Sequence, residues 1–462
     1  MSSLLQTLYW KAPYFSKRWM ASLNARKLDH QRYGPEYEQI LKEIAEHDKW
    51  PPEKFTEYQQ QQLQSLIQHA AQNVPYYREM FTKTGIDPKS VLDIKDLEGL
   101  PILEKKTARS NPEDLVDENL SKSQLICGHT SGTTGTPIII YRDINLASTA
   151  TAFFDARCRA IAGMSRRNNS SVSIGGHLVA APEQSRPPFW VYNKRWKQLY
   201  MSSYHLSPKY LGYYVDELRK FNADYIEGYP SSVHAVAQYI VDNKLEPVPF
   251  KACFTTAENL FDYQRETIKK AFGCRTYNQY GCGEQVVFAA ECEHGSMHLS
   301  PEVGIVEVVD ENDRPLPIGQ TGQLICTSLV ARAQPFIRYR LGDMGALKAG
   351  SCPCGSPLPL LGHIEGRNDA VLITRDGRRI GRLDPLFKGA HGIAEAQIIQ
   401  NDYDKFIIRI VPGKDYTDAN GRNVITNLSH RVGKADIGVE IVEKIERTKA
   451  GKFRAVINNI GT

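Results

Sequence analysis

Polar and apolar positions along this chain alternate between short β-branched runs and helical spacings. Leu63, Leu66, Ile67 and Ala70 recur at intervals of three and four, with glutamines over much of the rest. They predict a helix from Glu57 through about Ala71, ended at Val74–Pro75. Pro35–Ile44 predicts another, because proline is tolerated in a first helical turn. Ala147, Ala150, Phe153, Ala156 and Ala160 give residues 143–163 one small and apolar side, read as a single helix. A strand–helix rhythm follows. Strands are expected at 171–178, 225–228, 250–256 and 275–277, and helices at 208–221, from Ser231–Ser232 to about Val241, and at 259–272. Ser231 and Ser232 are candidate caps for the middle helix. Such a rhythm predicts parallel sheets with crossover helices, an α/β fold.

After Cys292 the texture changes. Residues 297–300, 303–309 and 322–328 alternate as strands around acidic and Gly/Pro turns, a smaller β-rich subdomain. Residues 351–360, rich in Cys, Pro and Gly, read as a loop. The stretch Gly366–Arg367–Asn368–Asp369 marks a domain boundary. This divides the chain into an N-terminal domain of residues 1–365 and a small C-terminal α+β domain of residues 366–462. The latter holds a hairpin at 370–380 turned at Asp376–Gly377, an exposed loop at 414–423, and a loop at 448–451 before Lys452.

With 462 residues and 41% apolar content the chain can bury a large core across two or three domains. Its 57 basic and 52 acidic residues give a net charge of +5 and are interspersed over most of the chain, so no nucleic-acid tail or polybasic arm is expected, although residues 1 to about 50 are basic and aromatic. No apolar run approaches the roughly 18–20 residues of a spanning helix, and the first eighteen residues lack a plausible export signal. A soluble, cytoplasmic protein is expected, with a resting place near a membrane left open. Nine cysteines over this length make no dense disulfide framework.

Four stretches carry candidate chemistry. In His129–Thr130–Ser131–Gly132–Thr133–Thr134–Gly135–Thr136–Pro137, two glycines allow amide groups to converge, and five hydroxyls add donors. Such a loop between two strands can cradle a polyphosphate, although the Walker pattern is absent. In Tyr280–Gly281–Cys282–Gly283–Glu284, the tyrosine can cover a purine and the glutamate can hold Mg²⁺ against phosphate oxygens. In Phe336–Ile337–Arg338–Tyr339–Arg340–Leu341–Gly342–Asp343, the aspartate can accept from ribose hydroxyls, and one of the two arginines is a structural ion-pair member. In Arg447–Thr448–Lys449–Ala450–Gly451–Lys452, a loop presents an ammonium that can neutralise charge at a reacting phosphorus. Each stretch taken alone also fits an ordinary turn or surface loop.

Together and in this order they resemble the adenylate-forming enzymes. The resemblance runs from about Tyr58 to Asn459 and is nearest to the phenylacetate–CoA ligase branch and its CapK-like members, linked to capsular polysaccharide biosynthesis. Ser131 to Pro137 matches the family's phosphate loop. Thr256–Ala257–Glu258 resembles its adenine-side strand end, Tyr280 to Glu284 its tyrosine–glycine…glutamate motif, and Tyr339 to Asp343 its ribose motif. Gly366–Arg367 with Asp369 resembles the hinge, and Gly451–Lys452 fits the terminal lysine motif.

The resemblance implies that ATP and a carboxylic acid give an acyl-AMP, after which the C-terminal domain rotates about Arg367 and a thiol, usually coenzyme A, displaces AMP. Lys452 would act in the first half. The acid pocket would involve His177, Trp190, Tyr229 and residues near Cys253. The basic stretch at 375–379 and the run at 394–400 depart from the coenzyme A ligases, so an amine or amino sugar stands as an alternative acceptor. A non-catalytic nucleotide-binding scaffold is the alternative of another class. Cys292, six residues before His298, and Cys352-x-Cys354 form two short pairs that can close a tetrahedral structural zinc site, with His294 competing as the fourth ligand. Several relatives in the family carry such a zinc.

Overall fold

The computed structural model describes residues 9–129, 138–177, 179–181, 184–367, 372–373, 375, 379–380, 393–413, 416–433, 435–447 and 453–460. The chain divides into two compact units, Met1–Ala25 with Arg166–Thr276 and Glu365–Thr462, and Arg26–Ser165 with Tyr277–Ile364.

In the first unit the strands lie in the order Ala252–Thr256, Tyr225–Gly228, Ser171–Gly175, Gln198–Ser202 and Trp190–Asn193. All neighbours are parallel except the last pair. Ser171–Gly175 is buried at every position, as a central parallel strand covered on both faces should be. The helices Pro208–Phe221, Pro230–Asp242 and Asp262–Phe272 supply the crossovers, and their Tyr214, Leu218, Val233, Ile240 and Phe272 join Val172, Ile174 and Ile226 in one core. Gly228 ends its strand against the carbonyl of Ile174: a Cβ there would stand 2.2 Å from that oxygen. The same unit holds a four-stranded sheet of residues 393–458, with Ile393–Asp402 antiparallel to Lys405–Pro412 and each flanked by a parallel strand. Its core of Ile398, Phe406, Ile408 and Ile410 is covered by Val424, Leu428 and Val432 of one helix.

The second unit packs the helix Pro52–Asn73, through Leu63, Leu66, Ile67 and Ala70, into a core shared with antiparallel strands Gly304–Val309, Gly322–Ser328 and Tyr339–Lys348. A second antiparallel group joins Thr276–Gly281, Phe288–Glu291, Met297–Leu299 and Leu360–Arg367. The fold is therefore α/β with mixed parallel and antiparallel strands, and a smaller α+β part at the C-terminal end.

Three local expectations need correction. Residues 143–163 do not form one α-helix. An α-helix over Ile144–Phe154 widens into a π turn at Asp155–Arg159 and then a 3₁₀ turn at Ala160–Ala162. Buried charge accompanies the change of pitch: Asp155 accepts from Tyr37 and Arg159, and Arg157 donates to Glu302 and Ser300. Ser231 and Ser232 are not caps. Their helix begins at Pro230, whose missing N–H costs nothing there; its N-cap residue Tyr229 makes no side-chain cap, and the Ser231 amide is met by Glu258 from outside the helix. The loop expected at 414–423 gives way to a helix over Asp418–Val432, opened by Thr417, whose N–H and hydroxyl donate to Asn420. Its polar first turn conceals it; Val424, Leu428 and Val432, four apart, carry it.

Candidate functional site

The small-residue loop is a hairpin connection. Ile126–His129 pairs antiparallel with Ile139–Arg142, so His129 stands opposite Ile139 at the loop's base. Ser131, Gly132, Thr133, Thr134, Gly135 and Thr136 lie outside the described residues. The returning strand is anchored by a residue that the motif reading missed. Gln334, 1% exposed, accepts from the Tyr141 N–H at 2.8 Å and donates to the carbonyls of Pro112 and Ile139 at 3.1 and 3.3 Å. Its carboxamide does what a ladder neighbour would do for that strand. A lone glutamine carries no sequence signal for the role.

Tyr280 lies on the strand Thr276–Gly281, and Asp343 on Tyr339–Lys348. The Tyr280 hydroxyl donates to Asp343 Oδ2 at 2.7 Å across 63 residues. Burial, reinforced by the Asp343 charge, holds the phenol far above its ordinary pKa, so it stays a donor. Gly342 takes φ +78 before Asp343, and a Cβ there would stand 3.0 Å from Lys105 Nζ. Glu284 is only 5% exposed, which rules out a surface carboxylate on an ordinary turn. It accepts from the Tyr339 hydroxyl at 3.0 Å, and Tyr339 is wholly buried. Thus two motifs are tied to each other twice: Tyr339 opens the stretch that ends in Asp343 and holds the glutamate of the stretch that begins with Tyr280.

Both arginines of the third stretch are structural. Arg338, 3% exposed with φ +47, donates to Glu307 and to the carbonyls of Glu98 and Leu100. Arg340 donates to Glu104, Gln323 and Asp313.

At the end of the strand Ala252–Thr256, Ala257 adopts φ +72, a conformation costly for a residue with a Cβ. It is followed by Glu258, whose two oxygens serve two backbone amides: Oε2 accepts from Ser231 N at 3.1 Å and Oε1 from Phe453 N at 2.6 Å. Burial raises the Glu258 pKa, and these donors only partly oppose it. Phe453 is the residue after Lys452 in sequence. Lys452 itself, and the side chain of Arg367, lie outside the described residues; the backbone of Arg367 closes the strand that starts at Leu360.

The four residues expected to line an acid pocket divide in two. His177 and Tyr229 are half-buried on either side of Gly175, where a Cβ would meet His177 Nε2 at 3.6 Å and the Tyr229 ring at 3.9 Å. His177 Nε2 lies 2.9 Å from the Ser173 hydroxyl, and its ring meets Tyr200 edge-on. Burial pushes the Tyr229 phenol up to about 12, so it too remains a neutral donor. Trp190 packs against Phe189 and Tyr214, and Cys253 is wholly buried in the strand Ala252–Thr256. Both are core side chains.

Cys292, His298, Cys352 and Cys354 converge, with their ligand atoms within 4.8 Å of one another. The Cys292 and Cys352 sulfurs are 3.6 Å apart, and Cys354 Sγ is 3.4 Å from His298 Nε2. Tetrahedral zinc with ordinary bond lengths sets sulfur–sulfur edges of about 3.7 Å and sulfur–nitrogen edges of about 3.5 Å. The cradle therefore fits the ion. His298 Nδ1 faces the Leu358 carbonyl at 3.4 Å, the second contact that orients a ligating imidazole. His294 contributes its backbone N–H, at 3.4 Å from Cys292 Sγ, and its ring is exposed.

A family model described as the CapK C-terminal domain matches residues 372–459. Protein CapK of Staphylococcus aureus is 28% identical over 480 aligned positions, covering 99% of this chain and 100% of that protein. A phenylacetate-coenzyme A ligase of Thermus thermophilus is 26% identical over 339 positions, covering 70% of this chain and 73% of its own length. Among solved structures, a 2-hydroxyisobutyryl-CoA ligase in its postadenylation state superposes with a TM-score of 0.69 at 22% identity, covering 89% of this chain and 91% of that one. This last likeness speaks to the fold, and the full-length match to CapK to the branch. The chain is thus similar over its whole length to protein CapK and over about seven tenths of it to phenylacetate-coenzyme A ligases, and it shares the fold of the 2-hydroxyisobutyryl-CoA ligase.

Proposed function

We propose that this chain activates a carboxylic acid with ATP, forming an acyl-adenylate and releasing pyrophosphate, and then passes the acyl group to a thiol such as coenzyme A. The observation that carries the reading is the joining of Tyr280, Glu284, Tyr339 and Asp343 through two phenol–carboxylate hydrogen bonds. In the first step the acid's carboxylate oxygen attacks the α-phosphorus, a bond to that oxygen forms, and pyrophosphate leaves. Little covalent work falls to the protein in such a step; alignment and charge compensation carry it. Asp343, oriented by Tyr280, takes the ribose hydroxyls. Glu284, held by Tyr339, would hold Mg²⁺, and the ion would supply charge neutralisation at the phosphates. Ser131 to Thr136 cradle the phosphates. Lys452 approaches the reacting oxygen, on a segment that Glu258 anchors through Phe453 N.

Residues 366–462 act as a mobile domain pivoting near Arg367, so that one site serves two half-reactions. His177 and Tyr229 border the acid. The ion cradle of Cys292, His298, Cys352 and Cys354 holds a structural zinc: four protein ligands leave no position for substrate.

One observation favours a second acceptor. The similarity to CapK spans the whole chain, and the family model matched at the C-terminal end is CapK's, whereas the phenylacetate-coenzyme A ligase of Thermus thermophilus covers 70%. Transfer to an amine or amino sugar is therefore the competing second half-reaction. Pyrophosphate release is measured across a panel of acids. It should need a particular acid and fall at least tenfold in Asp343→Ala, since a lost charge-assisted contact is worth roughly 1.5–3 kcal/mol. Unchanged release in that variant refutes the reading. Discharge of preformed acyl-AMP by coenzyme A or by an amino sugar decides the acceptor.

A further inference from the structure

The helix Tyr14–Arg32 has two unlike sides. On one, Tyr14 packs on the core, Ala25 is wholly buried, Arg18 lies over the Tyr192 ring at 5.3 Å, and Ser22 Oγ accepts from Lys194 N at 3.2 Å. The other carries Phe15, Trp19 and Leu23, four residues apart on one helical stripe, with Met20 beside it. These four are 74%, 66%, 38% and 37% exposed. Two aromatic side chains this open on one helix are more than scattered surface apolarity.

Charge narrows the partner. Before Asp29 the sequence holds Lys11, Lys17, Arg18, Arg26 and Lys27, and not one acidic residue. All of these cations but Lys17 are exposed, and Arg26 and Lys27 continue the exposed side of the helix. The surplus of cations in this short segment equals the net charge of the whole chain. Aromatic and aliphatic side chains set among Lys and Arg are the pattern of a helix lying in a bilayer interface. No described helix is long and apolar enough to cross a membrane, so this would be a surface contact.

We propose that the exposed side of Tyr14–Arg32 docks the enzyme on an anionic phospholipid surface, with Phe15 and Trp19 entering the headgroup boundary and Arg26 and Lys27 meeting lipid phosphates. The test is co-sedimentation of the full-length protein with vesicles of phosphatidylcholine, with and without phosphatidylglycerol. Binding should need phosphatidylglycerol and weaken with salt. Each cation near such a surface contributes roughly fivefold to partitioning, so Arg26→Ser with Lys27→Ser should lower it about 25-fold. Phe15→Ser with Trp19→Ser should lower it at least as far, with the thermal midpoint and adenylate formation unchanged, since neither ring packs on the core. Three results would overturn the proposal: no binding to phosphatidylglycerol vesicles, equal binding to phosphatidylcholine alone, or equal binding by the Phe15/Trp19 variant. Concentration-dependent self-association abolished by Trp19→Ser would give this side to a second copy instead, and would overturn it equally.

Discussion

Glu258→Gln isolates the contact that ties the lysine-bearing segment to the strand end. Glu258 spends one oxygen on Ser231 N and the other on Phe453 N, at 3.1 and 2.6 Å. Glutamine keeps one acceptor and turns an NH₂ towards the second amide, so one of the two bonds must be lost. A hydrogen bond to a charged group is worth roughly 1.5–3 kcal/mol. At 1.36 kcal/mol per tenfold, that is about 10- to 150-fold. The Ser231 bond lies within the first turn of a well-packed helix, so the Phe453 bond should give way. Adenylate formation, followed by acid-dependent pyrophosphate release, should then fall by about 10- to 100-fold. Discharge of separately made acyl-AMP should change little, because the lysine is assigned to the first half alone. Global stability should not suffer. The Glu258 pKa is raised above its ordinary 4.5 by burial, so its contribution to stability is full below 4.5 and lost as pH rises through the folded value. At neutral pH the variant sheds a buried charge. The same pKa predicts an acid limb in the wild-type adenylation rate, lying above 4.5 and missing from the variant. Equal falls in both half-reactions, or none in either, would refute the assigned role.

Three further outcomes follow from the geometry. Arg338→Ala leaves Glu307 buried without its cation and two carbonyls without donors, so it should cost about 3–5 kcal/mol in denaturant unfolding. Arg340→Ala, whose acidic partners Glu104 and Asp313 are about half exposed, should cost about 1 kcal/mol or less. Lys251, with the Ser170 amide and hydroxyl, holds the Asp224 carboxyl down from 3.8 to about 2. A depressed pKa stabilises above 3.8 and the gain is lost as pH falls towards 2; solvent screening limits it to about 1 kcal/mol. Unfolding of Asp224→Asn should therefore depend less on pH across that window. Protein purified without chelator should contain one zinc per chain. Cys352→Ser should lose it and unfold at lower temperature, while adenylation per folded molecule persists; an absence of zinc from the wild type would remove the site.

The sequence made the strands at 171–175, 225–228, 252–256 and 276–281 and the crossover helices between 208 and 272 legible from their apolar periods and turn residues, but the strands Trp190–Asn193 and Gln198–Ser202 went unread. It failed where tertiary burial overrode local pattern. The π turn at Asp155–Arg159 accompanies a hydrogen bond from Tyr37 to Asp155 and an ion pair between Arg157 and Glu302, partners more than a hundred positions away. No spacing rule sees them. The ion cradle was legible as two short pairs, and geometry resolved the choice between His294 and His298, because only the latter's ring turns inward. In the site, the residue types were readable from the motifs, but their partners were not. Gln334 has no motif, and Tyr339 reads as the start of a ribose-binding stretch when its hydroxyl serves Glu284.

That pairing has an electrostatic logic. A site that gathers the phosphates of ATP is poorly served by bare carboxylates, yet the proposed chemistry needs Glu284 for a cation and Asp343 for ribose. Full ion pairing with arginine would neutralise them but would also occupy the oxygens they must offer. A phenol is the intermediate choice. It donates one hydrogen bond, brings no positive charge to compete with Mg²⁺, and remains protonated when burial drives its pKa up, as at Tyr280. The two arginines that flank Tyr339 are directed elsewhere, Arg338 to Glu307 and Arg340 to Glu104 and Asp313. In the proposed mechanism the cation that the reaction requires comes instead from Lys452, on a segment proposed to arrive and depart.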